Sequence, residues 1–514
     1  MNDPLLNDPP SGPPPAPPPA PDKPSGWLAA VLPVLLISAC AELGISILNN
    51  SALPIYFTQG LHIQTKTYGY LMVPFFISEV LFKSPLGVLA DRFGRKPLML
   101  GGALVTVFTP LVFITTRYDP LAATAVITLL VFGFLRGLDG MGQAALWPAL
   151  YAYVGDVVEE KKRGAAMGAL NVVYMVGIAF SFLIGGFVDD TFGPLFTREA
   201  TFGEQMGRLG GRLHHGLHRA GHGLRGVLHH PTATPAPVDA APVVAAPVLL
   251  ASHQPGYYYP SFILASVLFG IAVLAALSVR GKVRHHRHLT VEHAHEHSHE
   301  HGHDETMTWE GFVAALRTVP QFLGLAFVTF LGIGCISLLV KKFALDEYGM
   351  SETAFGALVL WPALAIAAVA VPAGLLADRW GKTRCVRLGF VLCALGLWGI
   401  PILHHLRVGI GGFMASAGLL GVGFVLAFPA WLALLTELGG EKRRGTVFAA
   451  VSTAQGVGAL GGVFIGTQLY DGVGHIAPFV AAAVLVTAGT LLTLVFVREG
   501  ALKRSEESLA RLDG

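Results

Sequence analysis

Long apolar stretches, separated by short polar segments, make up most of the chain. A helix that crosses a bilayer needs about 20 mostly apolar residues, and we identify twelve stretches of this kind. The pattern predicts an all-α membrane protein with 12 transmembrane helices, of which five precede and seven follow the long gap between 189 and 259. The stretches are centred on residues 27–56, 68–90, 97–116, 121–153, 164–188, 260–280, 320–343, 353–377, 385–404, 408–434, 446–468 and 476–497.

The composition supports a membrane protein and excludes several other classes. Only 13% of residues are charged, against about 25% in soluble proteins, while 53% are hydrophobic and the mean hydropathy is +0.58. A net charge of +2 gives no basis for nucleic-acid binding. The sequence has no G-x-x-x-x-G-K-[ST] phosphate-binding loop, so we expect neither a nucleotide-driven pump nor an enzyme.

Basic residues alternate between the connecting segments. With both termini inside, 23 of the 35 Lys and Arg residues fall in cytoplasmic segments, 10 fall outside and 2 lie within helices. Positive residues favour the cytoplasmic side, which predicts a multi-pass protein of the plasma (inner) membrane with both termini cytoplasmic.

The same pattern divides the chain into segments. We predict a disordered Pro-rich tail at 1–25, helices 1–5 at 26–190 and an extracytoplasmic loop insertion at 191–259. Helix 6 follows at 260–281, then a His-rich cytoplasmic loop at 282–319. A C-terminal six-helix bundle at 320–498 precedes a cytoplasmic tail at 499–514.

A sequence repeat relates the two sets of helices. The segment at 87–96 reads GVLADRFGRK, and 287 residues later the segment at 374–384 reads GLLADRWGKTR. Further pairs recur at an offset of 281, such as Trp147-Pro148-Ala149 with Phe428-Pro429-Ala430 and Asp190 with Asp471. The chain is therefore predicted to be two related halves in parallel.

Both repeated segments resemble G-x-L-a-D-r-x-G-r-k, the loop motif between helices 2 and 3 of major facilitator superfamily transporters. The resemblance implies two pseudo-symmetric six-helix bundles around a central cavity, and transport by alternating access. It also implies a gate in which a carboxylate pairs with an Arg or a helix N-terminus. Alternatively, the cations only anchor the topology. The gate residues would be Gly87, Asp91, Arg92, Gly94, Arg95, Gly374, Asp378, Arg379 and Gly381.

Few ionisable residues lie inside the predicted spans, where a charge costs about 2.5–3.5 kcal/mol on insertion scales. Glu79 and Lys83 are four residues apart and can neutralise each other. Glu42 lies near mid-depth of helix 1, where it would carry the proton or bind a cationic substrate; alternatively it pairs with Arg136.

The segment at 135–145 resembles the superfamily's helix-4 motif, l-x-x-x-R-x-x-q-G-x-g-a-a, through Arg136 and Gly140. In proton-linked members this Arg is implicated in coupling, which it would perform here with Asp139 or Glu42. The alternative is an Arg–Asp pair that only joins helices. Six further residues would face the cavity or join helices: Asn49, Asn50, Asn171, Tyr174, Trp361 and Gln455.

Two features bear on the direction of transport and on metals. Drug exporters of the superfamily carry G-x-x-x-G-P-x-x-G-G in helix 5, and here Ser181 and Phe182 replace Gly-Pro. The loop at 284–303 has alternating histidines that would bind a divalent metal weakly, or would form only a solvated linker. These histidines are His293, His295, His297, His299 and His301.

The sequence therefore predicts a secondary transporter that exports organic compounds in exchange for protons. The alternatives are a proton symporter that imports a sugar or organic acid, and a metal-linked exporter that uses the histidine loop. We expect a monomer whose partners are a small-molecule substrate and the lipid bilayer. No cofactor is expected beyond the proton gradient.

Overall fold

The computed structural model describes residues 26–158, 160–197, 254–279, 320–360, 379–438 and 440–496. Within these ranges the chain forms helices joined by short turns and contains no strand, so the protein is all-α. Within the described residues, each of the twelve predicted stretches contains helix, and the eighth stretch is described only as far as residue 360.

The N-terminal half is built from long, mostly apolar helices. Helix α1 starts as Gly26–Ser46 and continues as a π-helix at Ile47–Ala52, an α-helical turn at Leu53–Ile55 and a second π-helix at Tyr56–Gly60. It is followed by α2 (Thr65–Phe93), α3 (Arg95–Thr115), α4 (Ala125–Val157), α5 (Glu160–Phe192) and α6 (Tyr259–Ser278).

The C-terminal half begins with a broken helix. Its two parts, α7a (Pro320–Ser337) and α7b (Val340–Tyr348), meet at a bend of 40°. Sequence reasoning ended this helix near 343, because it treated the charged residues that follow as a loop. The other helices are α8 (described over 352–360), α9 (Lys382–His405), α10 (Ile410–Leu438), α11 (Gly440–Gly472) and α12 (Ala477–Phe496).

Within the described residues, eight helices are long and apolar enough to cross a membrane, or nine if α7a and α7b form one span. The helix-packing pattern repeats between the halves. Helix α1 packs on α5 and α6, and α3 packs on α4 and α6. In the second half, α7a packs on α11 and α12, and α9 packs on α10 and α12.

Small residues at matching places allow this repeated packing. A Cβ added at Gly142 of α4 would lie 2.9 Å from the Gly102 carbonyl oxygen of α3. A Cβ at Gly423 of α10 would lie 2.6 Å from the Gly389 oxygen of α9. The two contacts are related by the repeat, and each lets two backbones touch as small residues do in membrane bundles.

The repeated loop motifs form two similar turns. Gly94 joins α2 to α3 with φ of +96°, and Gly381 precedes α9 with φ of +92°. Other residues pay a steric cost at positive φ, so glycine suits both turns. The motif thus specifies a sharp reversal between helices at the same place in each half.

The two halves meet at one end of the bundle, which the loop charges predict to be extracytoplasmic and which we call the outer end. There the Lys66 backbone N–H donates to Asp471 over 2.8 Å. Further from the rim, the rings of Phe182 and Phe355 lie 5.6 Å apart. A Cβ at Gly69 would lie 2.9 Å from the Thr467 Cβ. The outer end is therefore closed between the halves.

The contact between α2 and α11 predicts a disulfide. Cysteines at positions 69 and 467 would have their Cβ atoms 2.9 Å apart, so a small outward shift of the two helices would bring them to the 3.5–4.5 Å that a disulfide requires. With the four native cysteines changed to alanine, we expect Gly69→Cys with Thr467→Cys to cross-link under mild oxidation. The cross-link should stop transport until it is reduced, and gel mobility after cleavage between the halves measures it.

The control pair is Gly69→Cys with Gly472→Cys, since nothing lies within 4 Å of a Cβ at Gly472. Equal cross-linking in both pairs would contradict the packing.

Candidate functional site

A buried arginine is the centre of a polar network in the N-terminal half. Arg136 of α4 is fully buried, and its Nη1 donates to Asp139 Oδ2 over 2.6 Å. Its Nη2 donates to Asn49 Oδ1 of α1, also over 2.6 Å. The guanidinium lies 4.5 Å from the centre of the Phe75 ring of α2, a cation–π distance. Arg136 thus connects three helices.

Asp139 completes the network. It is fully buried, and its Oδ1 accepts a hydrogen bond from Thr109 Oγ1 of α3. Of the two partners considered for Arg136, the structure places Asp139 beside it, whereas Glu42 makes a different contact. Removing one member of such a pair would leave an uncompensated charge, which is more costly than the pair itself.

Glu42 lies in a separate buried position on α1. Its residue is 3% exposed, and its Oε1 accepts a hydrogen bond from Ser46 Oγ over 2.7 Å. A Cβ at Gly177 would lie 2.8 Å from Glu42 Cγ, so α5 passes directly over the carboxyl group. Glu42, Ser46 and Asn49 are spaced by four and three residues, which places them on one helix face.

The π-helical segment of α1 connects this region with the outer end. Within Ile47–Ala52, Asn49 contacts Arg136, while the Ser51 oxygens accept hydrogen bonds from Lys341 of α7b. Short π-helical segments are frequent at functional sites. Here one turn of helix places polar groups against two different charged clusters.

A second charged cluster lies between the halves at the outer end. Lys341 is 2% exposed and pairs with Glu352, the first described residue of α8. Asp190 of α5 accepts hydrogen bonds from the Thr353 backbone N–H over 2.9 Å and from its Oγ1 over 2.6 Å. Sequence reasoning missed this cluster because it counted Lys341 among the ten basic residues of the outer segments, although the apolar stretch runs to 343. The repeat of Asp190 at Asp471 was the signal available.

The C-terminal half contains an apolar cavity of about 70 Å³. It is lined by side chains from α7a, α9, α10, α11 and α12. Several of the lining side chains are aromatic. The lining also includes the polar residue Gln455, one of the residues predicted to face the cavity. The lining includes Phe330, Phe390, Phe424, Phe428, Trp431 and Gln455.

The family model of the Major Facilitator Superfamily matches residues 34–201 and 322–511, well over half of the chain. The chain belongs to this superfamily. The resemblance read from the two loop motifs is thereby confirmed.

Curated relatives in the superfamily match over one region. The chain is 32% identical over 133 residues to "Multidrug resistance protein 2" of Bacillus subtilis, covering 26% of this chain and 30% of that protein. It is 34% identical over 117 residues to "Multi-drug resistance efflux pump PmrA" of Streptococcus pneumoniae, covering 23% and 27%. The alignments span less than a third of these relatives' own lengths.

Solved structures of superfamily transporters share the fold. A D-xylose–proton symporter superposes with a TM-score of 0.62 at 12% identity, covering 92% of this chain and 98% of that chain. A POT family transporter gives 0.59 at 13% identity, covering 91% and 95%. At such identities the likeness shows the fold alone.

The remaining residues that the sequence predicted to face the cavity, and the Glu79–Lys83 pair, differ in burial and in contacts. Tyr174 is half-buried with its ring 5.5 Å from that of Trp147, and Asn50 lies half-buried in the π-helical segment. Glu79 and Lys83 approach to 3.6 Å on a partly exposed face. Asn171 lies on α5, but the structure does not describe its side chain. Trp361 lies outside the described residues.

The first loop motif connects helix ends within its own half. Arg95 Nε donates to Asp156 Oδ2 over 3.2 Å. Lys96 Nζ donates to the Leu277 and Val279 carbonyl oxygens at the end of α6, over 2.6 and 2.8 Å. A cation at a helix C-terminus is stabilised by the helix dipole. These two cations therefore brace the inner end of the N-terminal half.

The remaining residues of the two loop motifs show fewer contacts among the described residues. Gly87 lies on α2, and Arg92 lies over the neighbouring Phe93 ring at 5.8 Å. The Asp91 side chain is outside the description, and Arg379 is exposed. Gly374, Asp378 and the histidines of the 284–303 loop lie outside the described residues. Among the residues that are described, no group of three or more His, Cys, Asp or Glu side chains could hold a metal ion.

The Arg136–Asp139 pair gives a stability prediction. Asp139→Leu leaves the Arg136 charge buried and unpaired, so we expect it to destabilise the protein by about 3–5 kcal/mol. The double variant Asp139→Leu, Arg136→Met should regain most of that stability without regaining transport. Thermal unfolding in detergent measures both variants. A double variant that is no more stable than Asp139→Leu would contradict the pairing.

Proposed function

We propose that this superfamily member exports amphipathic organic cations in exchange for protons. The observation that carries the proposal is Glu42, a carboxyl group buried at mid-length of α1 with one hydrogen-bond donor, Ser46. Ionisable groups inside spanning helices mark substrate paths and proton relays.

The surroundings of Glu42 suit two alternative occupants. Tyr174 lies one turn before Gly177, the α5 residue that packs against the Glu42 side chain, and its ring lies edge-on to that of Trp147. Aromatic faces attract organic cations, and a carboxylate pairs with them directly. A protonated carboxyl group has lost that charge, so proton and cation would bind in competition. Such competition is what exchange of the two requires.

Arg136 is linked to this position through α1. Glu42, Ser46 and Asn49 form one polar face of α1, and Asn49 Oδ1 accepts a hydrogen bond from Arg136. Because Asp139 pairs with Arg136, the arginine would act in coupling by holding this face of α1 in place, and not by contact with Glu42.

The apolar cavity of the C-terminal half suits the lipophilic part of the substrate. Phe424 and Phe428 stack there with ring centres 5.0 Å apart. A ligand that spans the two halves would place its charge at Glu42 and its rings in this cavity. The printed names of the two bacterial relatives, which describe multidrug resistance and efflux, support the direction.

One observation favours symport as a second candidate. The Gly-Pro pair typical of exporters is replaced in α5, where Ser181 Oγ donates to the Ile178 carbonyl oxygen within the helix. Phe182 at the proline position contacts Phe355 of the other half. Helix α5 therefore lacks the proline of the exporter motif where it meets the C-terminal half, which favours symport.

Glu42→Gln tests the exchange mechanism. Loss of an essential proton-transfer group costs about 100-fold or more in rate, and we expect this loss in gradient-driven export of ethidium from proteoliposomes. Glu79→Gln is the matched control, because Glu79 is a partly exposed carboxylate paired with Lys83. Export by Glu42→Gln at the rate of the wild type would remove Glu42 from the mechanism.

Phe424→Ala tests the aromatic cavity. An aromatic contact is worth about 0.5–1.5 kcal/mol beyond its buried area, so we expect KM for ethidium to rise about 3–10-fold. Initial transport rates at graded ethidium concentrations measure this. Phe108→Ala is the control, since that side chain is 57% exposed on the bundle surface. An unchanged KM in Phe424→Ala would place the substrate elsewhere.

A further inference from the structure

The charged cluster at the outer end contains more acids than bases. We call it the outer acidic cluster and define it by Asp189, Asp190, Glu352 and Lys341. Asp189 is fully buried, Glu352 is 4% exposed and Lys341 is 2% exposed. The cluster joins both halves, because α5 contributes the two aspartates while α7b and α8 contribute the other two residues.

The ammonium group of Lys341 has no donor left for a second carboxylate. Its three protons are directed to Glu352 Oε2, to the Ser51 carbonyl oxygen at 2.8 Å and to Ser51 Oγ at 2.9 Å. An ammonium group has three donors and no acceptor. Lys341 therefore neutralises Glu352 by contact and reaches Asp189 only through the electrostatic field.

Asp190 is well supplied with donors. Its Oδ1 accepts a hydrogen bond from the Tyr257 hydroxyl over 2.6 Å, and its Oδ2 accepts two from Thr353. These three hydrogen bonds tie α5 to α8 and to the turn before α6.

Asp189 has fewer hydrogen-bond donors around it than Asp190. Its Oδ1 accepts a hydrogen bond from the Ser261 backbone N–H over 3.1 Å. Among the described residues, its Oδ2 has no hydrogen-bond partner, and neither has Glu352 Oε1. Both atoms are buried, and the two carboxyl groups interact electrostatically. Two buried like charges with unsatisfied oxygens are costly unless a further positive charge joins them.

The backbones leave little room around these groups. A Cβ added at Gly186 of α5 would lie 2.5 Å from the Glu352 carbonyl group. The close approach of α5 to the start of α8 keeps the cluster out of water while the outer end is closed. A bare proton is the cation that needs no space of its own.

We propose that the outer acidic cluster binds one proton, on Asp189 or on Glu352, each time the two halves close over it. The proton turns that carboxylate into a carboxylic acid, so that only one of these two residues remains negatively charged beside Lys341. When the halves separate, water reaches the cluster and the proton leaves. This proton is distinct from any that Glu42 carries, and the proposal does not require proton-driven transport.

Among the groups that face the cluster, the carboxyl groups of Asp189 and Glu352 are the ones that we expect to bind a proton between pH 5 and 8. The other ionisable groups that face the cluster are the phenols of the turn before α6 and the ammonium group of α7b, which in water titrate near pH 10. The phenols remain protonated between pH 5 and 8, whereas carboxyl groups do not all remain ionised when buried together. These groups are Tyr257, Tyr258 and Lys341.

Proton uptake on closing links the conformation to external pH. One proton changes the ratio of closed to open molecules by up to about tenfold per pH unit. The sign is fixed: the closed form binds the extra proton, so acidification favours closure.

Distance measurements between spin labels test this without substrate or gradient. Leu121→Cys and Leu406→Cys place labels on exposed sites at the outer end of each half, with side chains 94% and 64% exposed. The full chain in lipid nanodiscs, with its native cysteines changed to alanine, would be measured by electron double resonance from pH 5 to 8. Using Glu42→Gln as the background removes any titration of that residue.

We expect the short-distance population to grow as pH falls, by up to about tenfold per unit. Asp189→Asn mimics the protonated acid, so its distances should stay short and change less than about twofold over the range. Glu352→Gln should flatten the response in the same way and serves if Asp189→Asn does not fold. Glu79→Gln, which changes a partly exposed carboxylate of α2 that is paired with Lys83, should keep the full response.

Three results would overturn the proposal. The first is a closed population in the reference protein that does not grow on acidification. The second is a full pH response in both Asp189→Asn and Glu352→Gln. The third is closure at pH 8 by added Na⁺, which would identify a metal cation instead of a proton. Failure of Glu42→Gln to impair export would refute the proposed function and leave these results unaffected.

Discussion

The cost of burying charge inside spanning helices governs this structure. Arg136 and Asp139 are tolerated because each satisfies the other and because Asn49 and Thr109 supply further hydrogen bonds. These contacts fix α1, α3 and α4 relative to one another. The centre of the N-terminal half is thus a neutralised ion pair, and Glu42 lies two turns away from Asn49 along α1.

A short π-helical segment connects the two charged regions. Asn49 faces Arg136 and Ser51 faces Lys341, although only one residue separates them in the chain. Movement of Lys341 away from Ser51 during opening of the outer end would act on the segment that also holds Arg136. This arrangement gives a physical route by which the outer contact between the halves and the buried network affect each other.

The sequence predicted those features that depend on local pattern. Apolar length placed the helices, and the spacing of Arg136 and Asp139 on one helix anticipated their pair. The glycines at 94 and 381 marked turns that need positive φ. Lys341 could not be placed in the same way, since a lysine beside polar residues looks like a loop until a distant Glu352 is brought to it. The C-terminal cavity likewise joins side chains from five helices.

The most direct test follows proton and solute together. Purified protein would be reconstituted in vesicles that are acidic inside, and lumenal pH recorded while ethidium is added outside. The account predicts that ethidium enters as the lumen loses protons, and that Glu42→Gln does neither. Movement of proton and solute in the same direction, or ethidium uptake without proton release, would contradict exchange at Glu42.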